Sequence, residues 1–293
     1  MDLLTQLNKA IAYVEEHIND ETALADVSNV TSYSAYHFGR MFYYIAGMPL
    51  SEYIRKRKLS LAAMDLQSGN EKVIDVAVKY GYDSADSFTR AFSKQHGVTP
   101  SASRKPGVSL TIFPPLTFKI KIEGVQEMNW RIEKTEAFEV IGIERVCKNN
   151  EAFNLSWFWD ECFGNGSYDK LAETANGGRC FGDDGQHTVM GLCGYRDTGT
   201  DTFPYMLCAL KKPGVKMDGY VTAAVPKLTW AVFKSETPNR IGEKIAELYK
   251  LAYTEWLPSS SYKKADGPDL ELYYTDEHGR NSDEVWIPIA DKN

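Results

Sequence analysis

The sequence predicts two domains of different class. The first is an all-α N-terminal domain of two helix-turn-helix units joined by a linker helix, and the second is an α+β C-terminal domain made of a duplicated strand-helix-strand-strand unit. Three observations lead there. The pattern S-A-x-x-F-x-R-x-F-x4-G occurs twice, at 34–47 and 84–97, and a repeat marks one structural unit used again. The order strand, helix, strand, strand can be read twice after residue 137. Composition also shifts near RKPGVS, 104–109: all six Trp lie beyond it, and Lys plus Arg against Asp plus Glu stand at 12 to 12 in 1–106 but 21 to 28 in 107–293. These features set the expected boundaries at 1–106, a linker with bridging strand at 107–126, and 127–293.

In the first domain Leu4, Leu7, Ile11, Val14 and Ile18 step by three and four, which predicts a helix over 3–18. A brief helix from Thr22 follows, then a turn, then a helix capped by Ser34 with Phe38, Met41, Phe42 and Ile45 facing inward. The stretch LSEYIRKRKLSLAAMDLQ, 50–67, contains no Gly or Pro and predicts one continuous linker helix. The second copy repeats the arrangement, with VIDVAVKYG, 73–81, and then a helix from Ser84 that Gly97 ends.

Core packing accounts for the two Phe of each repeat and leaves the Arg unexplained. In a helix-turn-helix the second helix enters the major groove, where Arg40 and Arg90 can donate a bidentate pair to guanine. Tyr36 and His37 can meet phosphate or base edges, Asp86 can accept from cytosine, and Ser34, Ser84 and Ser87 can hold phosphates at helix amino ends. An 18-residue rod spans roughly 27 Å, close to the roughly 34 Å between successive grooves on one DNA face. The run Arg55-Lys56-Arg57-Lys58 reads either as a phosphate contact or as a solvated face.

In the second domain LTIFPPLTFKIKI, 110–122, reads as a bridging strand. FEVIGIERV, 138–146, is then a strand, 149–164 a helix, and HTVMGLCGYRD and YMLCALKK two strands; LTWAVFKSE, 228–236, RIGEKIAELYKLAYTEWL, 240–257, DLELYYTD and VWIPIA repeat that order. A cavity between two such halves is a natural ligand site. Along LELYY, Glu271 shares a face with Tyr273, and Leu270, Leu272 and Tyr274 point the other way. A carboxylate among aromatic rings is costly unless a cation pairs with it, and the alternative is an exposed strand Glu. Trp157, Trp159, Trp230 and Trp256 read either as pocket wall or as core.

With 43% apolar and 25% charged residues the composition is that of a globular chain, and no apolar run is long enough to span a bilayer. Five cysteines, an odd number with no C-x-x-C pair, fit reduced thiols in a cytoplasmic protein. There is no G-x-S-x-G and no H-E-x-x-H, and His187 near Cys180 and Cys193 reads as loop rather than metal site, so no catalytic residue, metal or cofactor is expected.

IDVAVKYGYDSADSFTRAFSKQHGVTPSASR, 74–104, resembles the signature of the AraC/XylS transcription regulators, with the Gly-Tyr turn, the F-x-R-x-F core and the G-x-T-P ending in register. The resemblance implies double-stranded DNA and RNA polymerase as partners, with bases read by Tyr36, Gly39 and Arg40 in one helix and Asp86, Ser87 and Arg90 in the other. Gly39 has no side chain to read with, and Asp86 stands where relatives often carry an amide. FEVIGI, WLPSSSY, DLELYY and EVWIPI resemble the GyrI-like effector-binding domain, in which a Glu at the place of Glu271 anchors lipophilic or cationic small molecules. The combination is similar to a Rob-type arrangement and implies a regulator, an activator that answers to a small-molecule effector. A GyrI-like hydrolase and a drug-sequestering binder are the alternatives, and the second has no need of two reading helices.

Overall fold

A computed structural model describes the chain except residues 1–2, 21–25, 32, 34, 120–128, 149–154, 176–180, 182–184, 199–201, 215–218, 238–239 and 293, and except the side chains at 3, 28, 35 and 36. The chain forms two compact units: 4–35 with 48–120, and 1–3, 36–47 and 121–293. The helix of the first repeat therefore groups with the C-terminal sequence.

The first unit contains α1 (Leu3–Glu16), α2 (Val27–Val30), α4 (Leu50–Ser68), α5 (Val73–Lys79), α6 (Ala85–His96) and α7 (Pro100–Ser103). The linker helix runs unbroken as expected, and Leu59, Ala62, Ala63 and Leu66 bury one side of it against Val76, Ala77, Phe88 and Phe92. Ser84 caps α6 by accepting from the Ser87 amide at 3.2 Å. Gly97 ends that helix at φ 75°, a left-handed conformation that a Cβ would strain.

Two expectations need correction here. Within 110–122, residues 110–119 form no strand, because Pro114 removes a ladder donor and the backbone finds side chains instead. Phe118 exchanges two hydrogen bonds with the Asn8 amide, at 3.0 and 2.8 Å, and the Phe113 amide donates to Ser60 Oγ at 2.9 Å. The basic run is also not uniformly solvated. Arg57 is buried, its Nε and Nη2 donate to Glu15 at 2.8 and 2.7 Å, and its Nη1 donates to the Phe113 carbonyl at 2.6 Å.

The second unit is built on one sheet, ordered β1-β6-β9-β8-β3-β4-β2-β5, with β7 (Tyr262–Lys264) pairing β9 as well. Its strands are β1 (Trp130–Thr135), β2 (Phe138–Lys148), β3 (Met190–Cys193), β4 (Thr202–Leu210), β5 (Val221–Val225), β6 (Leu228–Thr237), β8 (Asp269–Thr275) and β9 (Asn281–Asp291), antiparallel throughout. The order is symmetric about the β3/β8 pair: β3-β4-β2-β5 on one side and β8-β9-β6-β1 on the other. Each half is the predicted strand-helix-strand-strand unit. The strand leading each half, β1 or β5, pairs with the opposite half, and neither edge strand was anticipated.

The first half carries α8 (Ser156–Gly164) and α9 (Ser167–Thr174); the second carries α10 (Ile245–Leu251), continued by a π-turn at Ala252–Trp256 and by α11 (Leu257–Ser259). Helix α3 (Ala35–Ala46) also belongs to this unit. One sheet face packs Ile141, Phe203, Tyr205 and Leu207 on Phe158, Cys162 and Leu171 of α8 and α9. The other face gathers Leu192, Met206, Trp230, Leu272 and Trp286.

Burial pulls the Glu15 carboxyl upward, but the bonds from Arg57 and Tyr53 outweigh it and hold the group below its ordinary value. Stabilisation from this group is full above the unfolded value and is lost as pH falls through the lower folded one. Arg57→Met should destabilise the chain by about 3 kcal/mol near neutral pH, because Glu15 loses its cation. Urea unfolding at about pH 7 and about pH 3 should show the difference from wild type shrinking in acid.

Candidate functional site

The symmetric sheet places a cavity of about 840 Å³ between α8 and α9 of one half and the start of α10 of the other, lined by Trp159, Tyr168, Tyr205, Ile241, Glu271 and Tyr273 among others. The cavity is large enough for a drug-sized molecule and its walls are chiefly apolar and aromatic. The strand alternation put Glu271 and Tyr273 on one face, and both line it.

Glu271 is 4% exposed, which rules out the exposed-strand reading. The hydroxyls of Tyr205 and Tyr273 donate to its Oε2 at 2.9 and 3.1 Å. The Trp159 indole donates to the Tyr205 oxygen at 2.9 Å and its ring meets that of Tyr273 edge-on. Burial pushes both phenols well above their ordinary values, so they remain protonated donors. Cys193 Sγ lies 3.5 Å from Oε1, and burial pushes this thiol up as well.

Oε1 also faces a cation. Arg40 Nη2 donates to it at 3.3 Å, and Arg40 Nε stands 3.8 Å from Asp269. Asp269, fully buried, lies 3.2 Å from Lys264 Nζ. The guanidinium sits 4.3 Å from the Tyr249 ring centre and within 6 Å of Tyr44 and Phe203, in cation-π range. His37 has Asp266 at 3.9 Å, but burial drives its pKa down to about 3, so the ring is neutral and the contact is no ion pair. Two buried basic side chains, Arg40 and Lys264, thus stand among the buried carboxylates Asp269 and Glu271, with Asp283 also buried on the neighbouring strand.

The proposed base readers are placed unequally. On α6, Ser84, Asp86 and Arg90 are exposed and Ser87 half-buried. On α3, His37, Gly39 and Arg40 are all buried, with Arg40 2% exposed. Ser34 and the side chain of Tyr36 lie outside the described residues. The expectation that α3 presents Arg40 and His37 as α6 presents Arg90 therefore does not hold in this conformation, because the ion pairs with Glu271 and Asp269 and the ring of Tyr249 enclose the guanidinium.

Of the four Trp named for the pocket wall, Trp159 alone lines this cavity. Trp157 is 41% exposed on α8, Trp230 packs in the opposite sheet face, and Trp256 stacks on Tyr262. A Trp is as well suited to core as to pocket, and the pattern of the chain did not separate them. Tyr205, 66 residues from Glu271, was missed: β4 is buried along nearly its whole length, so alternation gave no polar face to mark it. His187 lines the cavity and bonds Thr275 Oγ1 at 2.8 Å.

Gly191 faces Glu271 across the β3/β8 seam. A Cβ there would stand 2.6 Å from the Tyr205 oxygen and 2.8 Å from Glu271 Oε2, so glycine is what lets phenol and carboxylate meet over the strand. Gly191→Ala should cost about 1–3 kcal/mol through overpacking and should raise the exposure of the neighbouring phenols. Thermal unfolding with near-ultraviolet circular dichroism reads both.

The family model for the GyrI-like small molecule binding domain matches residues 128–290, and that for a helix-turn-helix domain matches 27–106. The HTH-type transcriptional activator AarP of Providencia stuartii is 38% identical over 98 residues, 33% of this chain and 73% of its own. The Right origin-binding protein of Escherichia coli K12 is 25% identical over 99% of both chains. Among solved structures, SAV2435 bound to tetraphenylphosphonium is 16% identical, covers 56% of this chain and 94% of its own, and gives a TM-score of 0.43. Model and relatives agree with the fold: the chain belongs to the AraC-type helix-turn-helix regulators that carry a GyrI-like small molecule binding domain.

Proposed function

We propose that the chain is a transcription activator of the cytoplasm that recruits RNA polymerase at its sites on double-stranded DNA and answers to a lipophilic cation held in the cavity beside Glu271. One observation supports the ligand class above others. A carboxylate 4% exposed lines an aromatic cavity of about 840 Å³, and a buried anion rewards a cation that brings its own apolar surface. The two phenols on Oε2 orient the carboxylate, and the edge-on rings of Trp159 and Tyr273 offer π surface to an organic cation.

DNA reading rests first on α6. Ser84 and Ser87 stand at its amino end, where backbone N–H groups favour phosphate, and Asp86 and Arg90 are exposed for base edges. The hydrolase alternative asks Glu271 for chemistry, whereas here its donors are protonated phenols and a protonated thiol that hold it in place.

Binding of tetraphenylphosphonium to the full chain, read by Trp fluorescence, should weaken at least about tenfold in Glu271→Gln, while a neutral analogue of equal size loses far less. Equal losses for the two molecules would point to packing damage and remove the charge argument. Turnover of an activated ester or epoxide by wild type that disappears in Glu271→Gln would support the hydrolase instead.

On duplexes selected from a random pool, Arg90→Ala should cost about 1–3 kcal/mol and relax preference at one base step. Lys58→Ala should weaken all sequences alike. An Arg90→Ala chain with unchanged affinity and preference would exclude α6 as the reader.

A further inference from the structure

The inference rests on the reading of Glu271 as the anion of the ligand site, and it concerns what that anion holds before a ligand arrives. Arg40 lies in the first copy of the repeat at the place that Arg90 occupies in the second. Yet Arg90 is exposed, and Arg40 is 2% exposed with its guanidinium on Glu271 and Asp269. We propose that Glu271 has two alternative cationic partners, Arg40 of the first reading helix and a cation in the cavity, so that ligand entry releases α3 for DNA.

Competition for one carboxylate carries the argument. Arg40 and Lys264 stand against Asp269 and Glu271 in a buried cluster in which His37 is uncharged, and a further buried carboxylate, Asp283, faces Tyr273 from β9 and is held by the Gly242 and Lys244 amides. A cation entering beside Glu271 shares that carboxylate with the guanidinium on its other oxygen, and at low dielectric the repulsion between the two is strong. Repulsion favours the departure of one cation. Lys264 is held in β7, where its strand pairs with β9, and its ammonium also donates to the carbonyls of Ala265 and Gly267. The contacts of Arg40 include the two carboxylates and the rings of Tyr44, Phe203 and Tyr249, and its long side chain can swing away from them without breaking a strand. Its departure leaves Asp269 with Lys264 and Glu271 with the ligand, so that each of the two carboxylates keeps one cation.

The exchange also explains why one residue type suits both states. A guanidinium stacks on aromatic faces and pairs with a carboxylate in the pocket, and the same group reads guanine O6 and N7 in a major groove. While it is enclosed, His37, Gly39 and Arg40 are covered together, so the first head is withheld and the second remains presented.

The test uses the full chain and tetraphenylphosphonium, with wild type, Arg40→Met, Glu271→Gln and the double variant. Removing the internal competitor should tighten cation binding about tenfold or more, as expected when a binding-competent state is no longer a minor one. That gain should vanish in the double variant. A residue with only a structural role would leave the affinity unchanged or weaken it, and either result overturns the proposal. If Arg40→Met does not fold, wild type still decides: saturating cation should speed hydrogen exchange of the amides of residues 37–46, and unchanged or slower exchange overturns the proposal. Cation binding that depends on Glu271 but ignores Arg40 would sink this inference and spare the ligand reading. Cation binding indifferent to Glu271 in both backgrounds would sink the reading itself and the inference with it.

Discussion

A carboxylate without water has to be answered by its neighbours, and the second unit is arranged around answering Glu271. It stands on β8 at the seam of the two halves, 4% exposed, where a polar group left without partners is costly. Two phenols take one oxygen, and a thiol and a guanidinium take the other. Gly191 leaves the room on β3 for the phenol of Tyr205 to arrive. The symmetric strand order matters because it brings a strand from each half to the same seam, so donors from β3, β4 and β8 converge on one acceptor.

The same constraint makes two copies of one motif unequal. Helices α3 and α6 share the F-x-R-x-F core, and in both the two Phe are buried. Their arginines have opposite fates because that of α3 meets buried carboxylates. Arg90 stands exposed, and Arg40 is enclosed in a cluster with Lys264, Asp269 and Glu271. Sequence identity between repeats therefore does not guarantee identical use, and the difference is electrostatic rather than conformational.

Local signals in the chain were legible. The Ser84 cap, the Gly97 stop, the unbroken linker helix and the shared face of Glu271 and Tyr273 all follow from rules that act within a few residues. What escaped depends on distant partners. The pairing of Arg40 with Glu271 spans 231 positions, and that of Arg57 with Glu15 joins two helices that periodicity alone leaves independent. Residues 110–119 alternate like a strand, yet Pro114 and Pro115 break the donor row, and Asn8, Tyr53, Arg57 and Ser60 take the place of a ladder. Edge strands β1 and β5 are short and half-exposed, so neither carries a clear apolar signal.

The account turns on which cation Glu271 holds, and the most direct measurement is a crystal structure of the full chain with tetraphenylphosphonium bound. The account predicts the phosphonium in the cavity against Glu271, Asp269 still paired with Lys264, and the Arg40 guanidinium withdrawn from both carboxylates and exposed. A phosphonium seated in the cavity with Arg40 still on Glu271 and still enclosed by Tyr249 would contradict it.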